Sequence, residues 1–194
     1  IPDTFTKTTP EFSDKVKEKF SEKQLAKLAQ KPKEIQEKVS ILANTKLSAD
    51  DITFNLYYSN QDMNAKNVAE KILEIENEFG DNLKTVQLNT NKYERKSLDI
   101  TATDKNGNKK TLTTDKNGKP RAIEEITYIK KNNEQYEIKK GKDFKTNTIS
   151  EITSKILNKK TIPLKETIIT KDYKEYSEPS EIKGIFNTKR VYNN

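Results

Sequence analysis

Six lysines and two tyrosines in residues 128–145 form the densest group of side chains that could bind a ligand. The lysines are Lys130, Lys131, Lys139, Lys140, Lys142 and Lys145, and the rings are Tyr128 and Tyr136. Cations interleaved with flat rings are typical of surfaces that bind polyanions or single strands. We therefore predict a polyanion-binding surface here. The competing interpretation is a solvated lysine-rich loop whose rings serve the core.

The type of cation decides how such a surface binds. The chain has only three arginines, Arg95, Arg121 and Arg190, and none lies among these lysines. A guanidinium is planar and recognises bases and phosphates through paired hydrogen bonds of fixed geometry, whereas an ammonium is a mobile point charge. We expect binding by charge density that fades as salt rises, and we do not expect sequence-specific recognition of nucleic acid.

The net charge of +7 is unevenly distributed. Residues 51–100 carry 6 basic against 9 acidic side chains, whereas residues 101–150 carry 12 against 7. The positive excess therefore coincides with the lysine-rich segment and its surroundings.

Catalytic chemistry is limited by what the sequence lacks. The chain has no His and no Cys, which removes the essential groups of thiol proteases, Ser-His hydrolases and the common zinc sites. Glu124 and Glu125 are neighbours in a predicted strand, so they point to opposite faces and cannot share a substrate. Asp104 and Asp115 belong to turns that are too short for a calcium loop, and we expect them to stabilise these turns. We predict no catalytic residue, no metal site and no cofactor.

A second candidate is an N-terminal helical arm, residues 1–50. It carries a narrow apolar stripe made of Phe12, Val16, Phe20 and Leu28. A stripe of this kind can dock on another protein or on a second copy of the chain, and thus cause self-association. The alternative is packing on the chain's own sheet.

The elements that position these groups are organised around an antiparallel β-meander at about residues 97–140. Thr-Asp-Lys-Asn-Gly occurs at 103–107 and again at 114–118, between strand-like runs, and Asn-Gly is a strong hairpin signal. Three-residue loops place Ile100 opposite Leu112, and Leu112 opposite Ala122. A third hairpin is predicted to turn at 131–134.

This register predicts the two faces of the meander. The apolar face collects Leu98, Ile100, Ala102, Leu112, Ala122, Ile126 and Tyr128. The other face shows Thr101, Thr103, Thr111 and Thr113 to water. Lys110 is expected to pair with Glu124 across the strands.

The remaining pattern predicts a strand–helix–strand unit at 52–89, with its helix at 64–79. A further helix at 148–159, a strand at 164–170, a loop at 173–181 and a last strand at 182–186 follow. Ser21 and Gln24 match a capping box. The fold class is therefore α+β, with helices 64–79 and 148–159 packed on one face of the meander, the arm at 1–50 and an α+β domain at 51–194.

Composition bounds the function. The chain is 31% hydrophobic and 35% charged, and no apolar run approaches the roughly 18 residues that span a bilayer. It begins with Ile, which is compatible with a mature form after removal of a leader. We expect a non-enzymatic, secreted or surface-associated bacterial binding module, with a role in virulence, that recognises a protein or an anionic cell-surface polymer. Two alternatives stay open: a His-free ribonuclease-type toxin, and a scaffold component of a secretion, conjugation or phage apparatus.

Overall fold

The structure is a computed structural model that describes residues 11–91 and 97–194. Helices fill the first part of the described chain and strands fill the second. The helices are α1 (Asp14–Lys19), α2 (Glu22–Ala29), α3 (Lys33–Leu42), α4 (Ala49–Phe54) and α5 (Ala65–Phe79). A π-helical turn at Asn55–Ser59 continues α4, and a short 3-10 turn at Gly80–Asn82 follows α5.

Nine strands then form one antiparallel sheet. They are β1 (Leu83–Thr90), β2 (Ser97–Asp104), β3 (Lys109–Asp115), β4 (Pro120–Lys131), β5 (Glu134–Asp143), β6 (Thr148–Leu157), β7 (Lys160–Ile169), β8 (Tyr173–Pro179) and β9 (Phe186–Tyr192). Their order in the sheet is their order in the chain. The α+β class is confirmed, and the meander extends well beyond residue 140.

The helices cover only one end of one face, which we call the helix-side face; the opposite surface is the outer face. The strand residues buried beneath the helices are Val86, Leu88, Leu98, Ile100, Ala102 and Leu112. Ile123 on β4 packs against the rim of this core. From β5 onward no described hydrophobic residue belongs to the core, so β5–β9 form a single layer.

Helix α5 is the main cover, as predicted for residues 64–79. Asn64 caps its first turn, Gly80 follows its end with φ +56°, and Ile72 is completely buried. Both repeated turns hold this helix. The backbone N–H of Lys105 donates to Asn82 O at 2.9 Å, and that of Asn64 donates to Lys116 O at 2.7 Å.

Both repeated turns have the predicted three-residue loops. The N–H of Asp104 donates to Asn108 O, and the N–H of Asp115 donates to Lys119 O, each at 2.9 Å. The carboxylate of Asp104 accepts from two backbone N–H groups in its loop, and so does that of Asp115. The prediction that these aspartates stabilise turns is confirmed.

The predicted register is right for the first hairpin and wrong for the second. Ile100 lies opposite Leu112, but Leu112 lies opposite Ile123 instead of Ala122. The register shifts after Thr113, where Arg121 is an additional residue on β4. A one-residue bulge moves every following side chain to the other face.

The bulge corrects two further expectations. Ala122, Ile126 and Tyr128 lie on the outer face and not on the core face, and Tyr128 is 40% exposed. Lys110 lies opposite Glu125 instead of Glu124. Thr101, Thr111 and Thr113 do occupy the outer face, where they are half-buried.

The predicted strand at 52–58 is wrong, because α4 and its π-helical turn occupy that range. Ser48 caps the helix by accepting a hydrogen bond from the Asp51 N–H at 3.1 Å. Ile52 and Leu56 are buried four residues apart, which suits a helix as well as a strand. There is therefore no strand–helix–strand unit, and β1 pairs antiparallel with β2.

Three expectations in the C-terminal part are also wrong. Residues 148–157 form β6 and not a helix, and 173–179 form β8 and not a loop. The last strand is Phe186–Tyr192, after the range 182–186 that we predicted. In contrast, the hairpin at 131–134 is confirmed, with Asn132 and Asn133 both at positive φ in its two-residue loop.

Candidate functional site

The β4–β5 hairpin divides the predicted basic surface between the two faces of the sheet. Register with β3 and β6 sets the orientation of each side chain. Lys131, Lys140, Lys142 and Tyr136 lie on the helix-side face, Lys130, Lys139 and Tyr128 lie on the outer face, and Lys145 lies in the turn after β5. The structure therefore brings at most three of these lysines to one strand face.

Carboxylates alternate with the lysines on the helix-side face. Lys110 lies 2.6 Å from Glu78 of α5 and 3.7 Å from Glu125 of β4. Lys140 stands between Glu125 and Glu151 in the strand register. This row of alternating charges neutralises itself across β3, β4, β5 and β6.

Tyr136 of the predicted surface and the neighbouring Phe144 both have side-chain contacts. The hydroxyl of Tyr136 donates to Glu134 at 2.5 Å, and Lys155 lies 3.0 Å from the same carboxylate. The Tyr136 bond and then Lys155 lower the pKa of Glu134. The ammonium of Lys142 sits 5.3 Å from the ring centroid of Phe144. These contacts lie within β5 and the residue after it, and Lys155 links β5 to β6. Tyr128 and Phe144 are 40% and 39% exposed.

An apolar row continues the core beyond the helices. Leu112 and Ile123 begin this row on the helix-side face, and Ile149, Ile169 and Val191 extend it across β6, β7 and β9. Ile149 is 40% exposed and Val191 is 47% exposed. Lys142 and Lys174 interrupt the row. We call the helix-side face of β5–β9 the bare shelf.

The sequence did not reveal the bare shelf, because residues 148–159 were interpreted as a helix. The signal that favours a strand there is β-branching: Thr148, Ile149, Ile152, Thr153 and Ile156. Glu151 and Lys155, which complete the alternating charges, were missed for the same reason.

The apolar stripe of the N-terminal arm lies inside the protein. Phe12, Val16, Phe20 and Leu28 are all buried in the hydrophobic core, together with Leu42 and Ile52. In this fold their side chains contact the chain's own core and not its surface. The capping box that precedes α2 is confirmed, with Ser21 and Gln24 bonding reciprocally.

Carboxylates on the outer face do not assemble a catalytic pair. Glu124 lies opposite Thr111 on that face, whereas Glu125 lies opposite Lys110 on the other. Asp99 borders a shallow depression there and accepts hydrogen bonds from the Thr113 hydroxyl at 2.6 Å and the Asn91 amide at 3.1 Å. Among the described residues no cluster of acidic side chains could hold a metal ion.

Comparison of the chain with protein-family models, curated proteins and solved structures found no match. Within the described ranges, none of the helices is long and apolar enough to cross a membrane. The bare shelf is the part of the helix-side face that lies beyond the hydrophobic core of the described chain.

Proposed function

We propose that this chain is a non-enzymatic, secreted or surface-associated binding module that holds a protein partner on the bare shelf. The observation that carries the proposal is the apolar row of Ile149, Ile169 and Val191, which continues a buried row past the edge of the helices. Sheets normally bury one face against a second layer. A partner that supplies this layer removes apolar area from water, which favours binding.

The row of alternating charges favours a protein over an anionic polymer. A polyanion that approached Lys140 would also meet Glu125 and Glu151, which flank it. A protein can instead place a carboxylate against each lysine and a cation against each glutamate. Such interleaved charges contribute to specificity through complementarity.

The test uses two isoleucines of β6 that differ in the face they occupy. A phage-displayed library of surface-protein fragments is panned on the immobilised chain, and the affinities of enriched clones are measured. Ile149→Lys, on the shelf, should weaken binding about tenfold or more because it charges the apolar row. Ile152→Lys places the same charge on the outer face of the same strand and should leave the affinity unchanged.

The opposite pattern, loss with Ile152→Lys alone, would place recognition on the outer face and refute the proposal. Binding to heparin that weakens as salt rises and disappears on Lys130→Gln and Lys139→Gln would instead support an anionic polymer as the partner. The Lys130→Gln and Lys139→Gln variants should retain the wild-type melting temperature, since exposed charges add little to stability.

A further inference from the structure

A cavity of about 330 Å³ opens between α2 and the segment formed by α4 and its π-helical turn. Three rings line it: Phe54, Tyr57 and Tyr58. Phe54 is 61% exposed and Tyr58 is 66% exposed, whereas Tyr57 on the same segment is 7% exposed. The ring centroids of Phe54 and Tyr58 lie 6.1 Å apart, so the two exposed rings form adjoining walls.

The segment that carries these rings has two unfavourable features. The backbone N–H of Asn60 donates to Asn55 O at 2.6 Å, five residues back, which is the bond of a π-helical turn. Such turns are rare and occur frequently at functional sites. The Tyr57 hydroxyl is buried and has no hydrogen-bond partner among residues 11–91 and 97–194. A hydroxyl that is buried without a hydrogen-bond partner costs free energy. This hydroxyl and the π-helical turn both belong to the segment that lines the cavity.

Charges of both signs border the same rings. The ammonium of Lys27 lies 5.8 Å from the Tyr57 centroid, within the range of a cation–π contact. Asp50 also lines the cavity, and the side-chain amide of Gln24 donates to its Oδ1 at 3.2 Å. A second ammonium, that of Lys31, lies 4.3 Å from the Tyr57 centroid. The lining therefore combines aromatic rings with Lys27 and Asp50, and Lys31 lies beside it.

We propose that this cavity binds a phosphocholine group. Phe54 and Tyr58 take the quaternary ammonium against their faces, which is the established mode of recognition for such cations. Asp50 is its counter-ion, and Lys27 attracts the phosphate. A simple cation is repelled by Lys27 and a simple anion by Asp50, whereas a zwitterion with a bulky, weakly hydrated cation satisfies both. The site is separate from the bare shelf, so each proposal can fail alone.

The binding test is an NMR titration with phosphocholine, choline and phosphoethanolamine. Phosphocholine should shift the backbone amides of Lys27, Asp50 and Tyr58. Choline lacks the phosphate and phosphoethanolamine lacks the methyl groups, so both should bind more weakly. Tyr58→Ala should raise the Kd for phosphocholine about fivefold. The matched control is Tyr128→Ala, which removes an exposed tyrosine of the sheet and should change nothing.

Lys27→Gln tests the charge assignment. The variant should bind phosphocholine no more tightly than choline, and it should bind choline more tightly than the wild type does. An equal loss for both ligands, the absence of shifts with phosphocholine, or shifts of the same amides by inorganic phosphate would each overturn the proposal.

A second assay distinguishes a free ligand from a lipid headgroup. Binding to phosphatidylcholine vesicles that free phosphocholine competes away would show that the headgroup is recognised. Vesicle binding that free phosphocholine cannot displace would mean that Phe54 and Tyr58 insert into the bilayer interface, and would refute the headgroup site. Lys27, Tyr58 and Tyr128 are all exposed, so unchanged melting temperatures of their variants serve as the control for folding.

Discussion

The carboxylate of Asp51 accepts a hydrogen bond from the backbone N–H of Leu88 at 3.0 Å. One helical turn later, the side-chain amide of Asn55 donates to the carbonyl of the same residue at 2.9 Å. These two groups of Leu88 point away from β2, toward the free side of β1. A further strand could otherwise pair on that side. Two side chains of the helical segment thus replace that strand and close this edge of the sheet.

Asn55→Ala should lower the free energy of unfolding by about 2 to 4 kcal/mol, because Asn55 is 1% exposed and its loss leaves buried partners unpaired. Urea denaturation measures the change. Asn89→Ala is the control, since this side chain is exposed on the same strand and its loss should cost less than about 0.5 kcal/mol. Equal effects of the two substitutions would mean that the edge is not held by Asn55.

The two repeated turns predict different costs for one substitution. Gly107 and Gly118 have φ of +87° and +81°, so an alanine is strained at either position. A Cβ at Gly107 meets nothing within 4 Å, whereas one at Gly118 lies 2.9 Å from Asn67 Cβ on α5. Gly118→Ala should therefore destabilise the protein by at least about 1 kcal/mol more than Gly107→Ala. Equal melting temperatures of the two variants would contradict the docking of the second turn on α5.

Adjacent residues of α5 test the core face of this helix. Ile72 is completely buried and Leu73 is 37% exposed. Ile72→Ala should cost about 2 to 5 kcal/mol because it leaves a cavity beneath the helix. Leu73→Ala should cost clearly less. Thermal or urea unfolding of both variants measures the two losses of stability. A larger loss of stability for Leu73→Ala than for Ile72→Ala would show that α5 is rotated about its axis.

Glu76 gives the stability a defined pH dependence. Its side chain lies beneath α5, and its carboxylate accepts a hydrogen bond from the Lys46 N–H. Burial raises the pKa of Glu76 above its ordinary value of 4.5, against the opposing effects of that bond and of Lys46 and Lys19. The folded protein therefore binds this proton more tightly than the unfolded chain does. Its contribution to stability is present below 4.5 and is lost as the pH rises through the folded pKa.

Glu76→Gln removes this titration. The free energy of unfolding of the variant, relative to wild type, should increase between about pH 4 and about pH 7. Denaturant unfolding at both ends of this range measures it. Glu70→Gln, an exposed position on the same helix, should show no such increase. If the stability of Glu76→Gln relative to wild type fell as the pH rose, the pH dependence that we derive for Glu76 would have the wrong sign.

Turn chemistry made the first hairpins predictable from the sequence. Asn106 and Gly107, and their repeat at Asn117 and Gly118, carry a local signal that needs no tertiary information. Helix α5 was equally clear, because its apolar spacing and its Asn64 cap agree with each other. The bulge at Arg121 gave no such signal, since it arises where β4 adjusts its pairing to β3.

The single layer explains most of the remaining errors. A strand with one buried face alternates in polarity, but β6 has water on both sides, so Ile149 and Ile152 need not share a face. Their spacing then resembles a helix. The lysines of the predicted basic surface are divided between the two faces for a related reason. Successive residues of a strand point to opposite faces, so lysines that are adjacent in sequence, such as Lys139 and Lys140, point in opposite directions.

The strand order also sets how this protein comes apart. Each strand from β5 to β9 contacts only its immediate neighbours, as units do in a linear repeat array. Fraying of β9 exposes β8 without disturbing Leu112 or Ile100, and loss can proceed hairpin by hairpin toward the helices. The sheet is therefore fixed at its helix-covered end and can unfold from the end at β9. The number of strands beyond β4 can change by whole hairpins while the helical core stays the same.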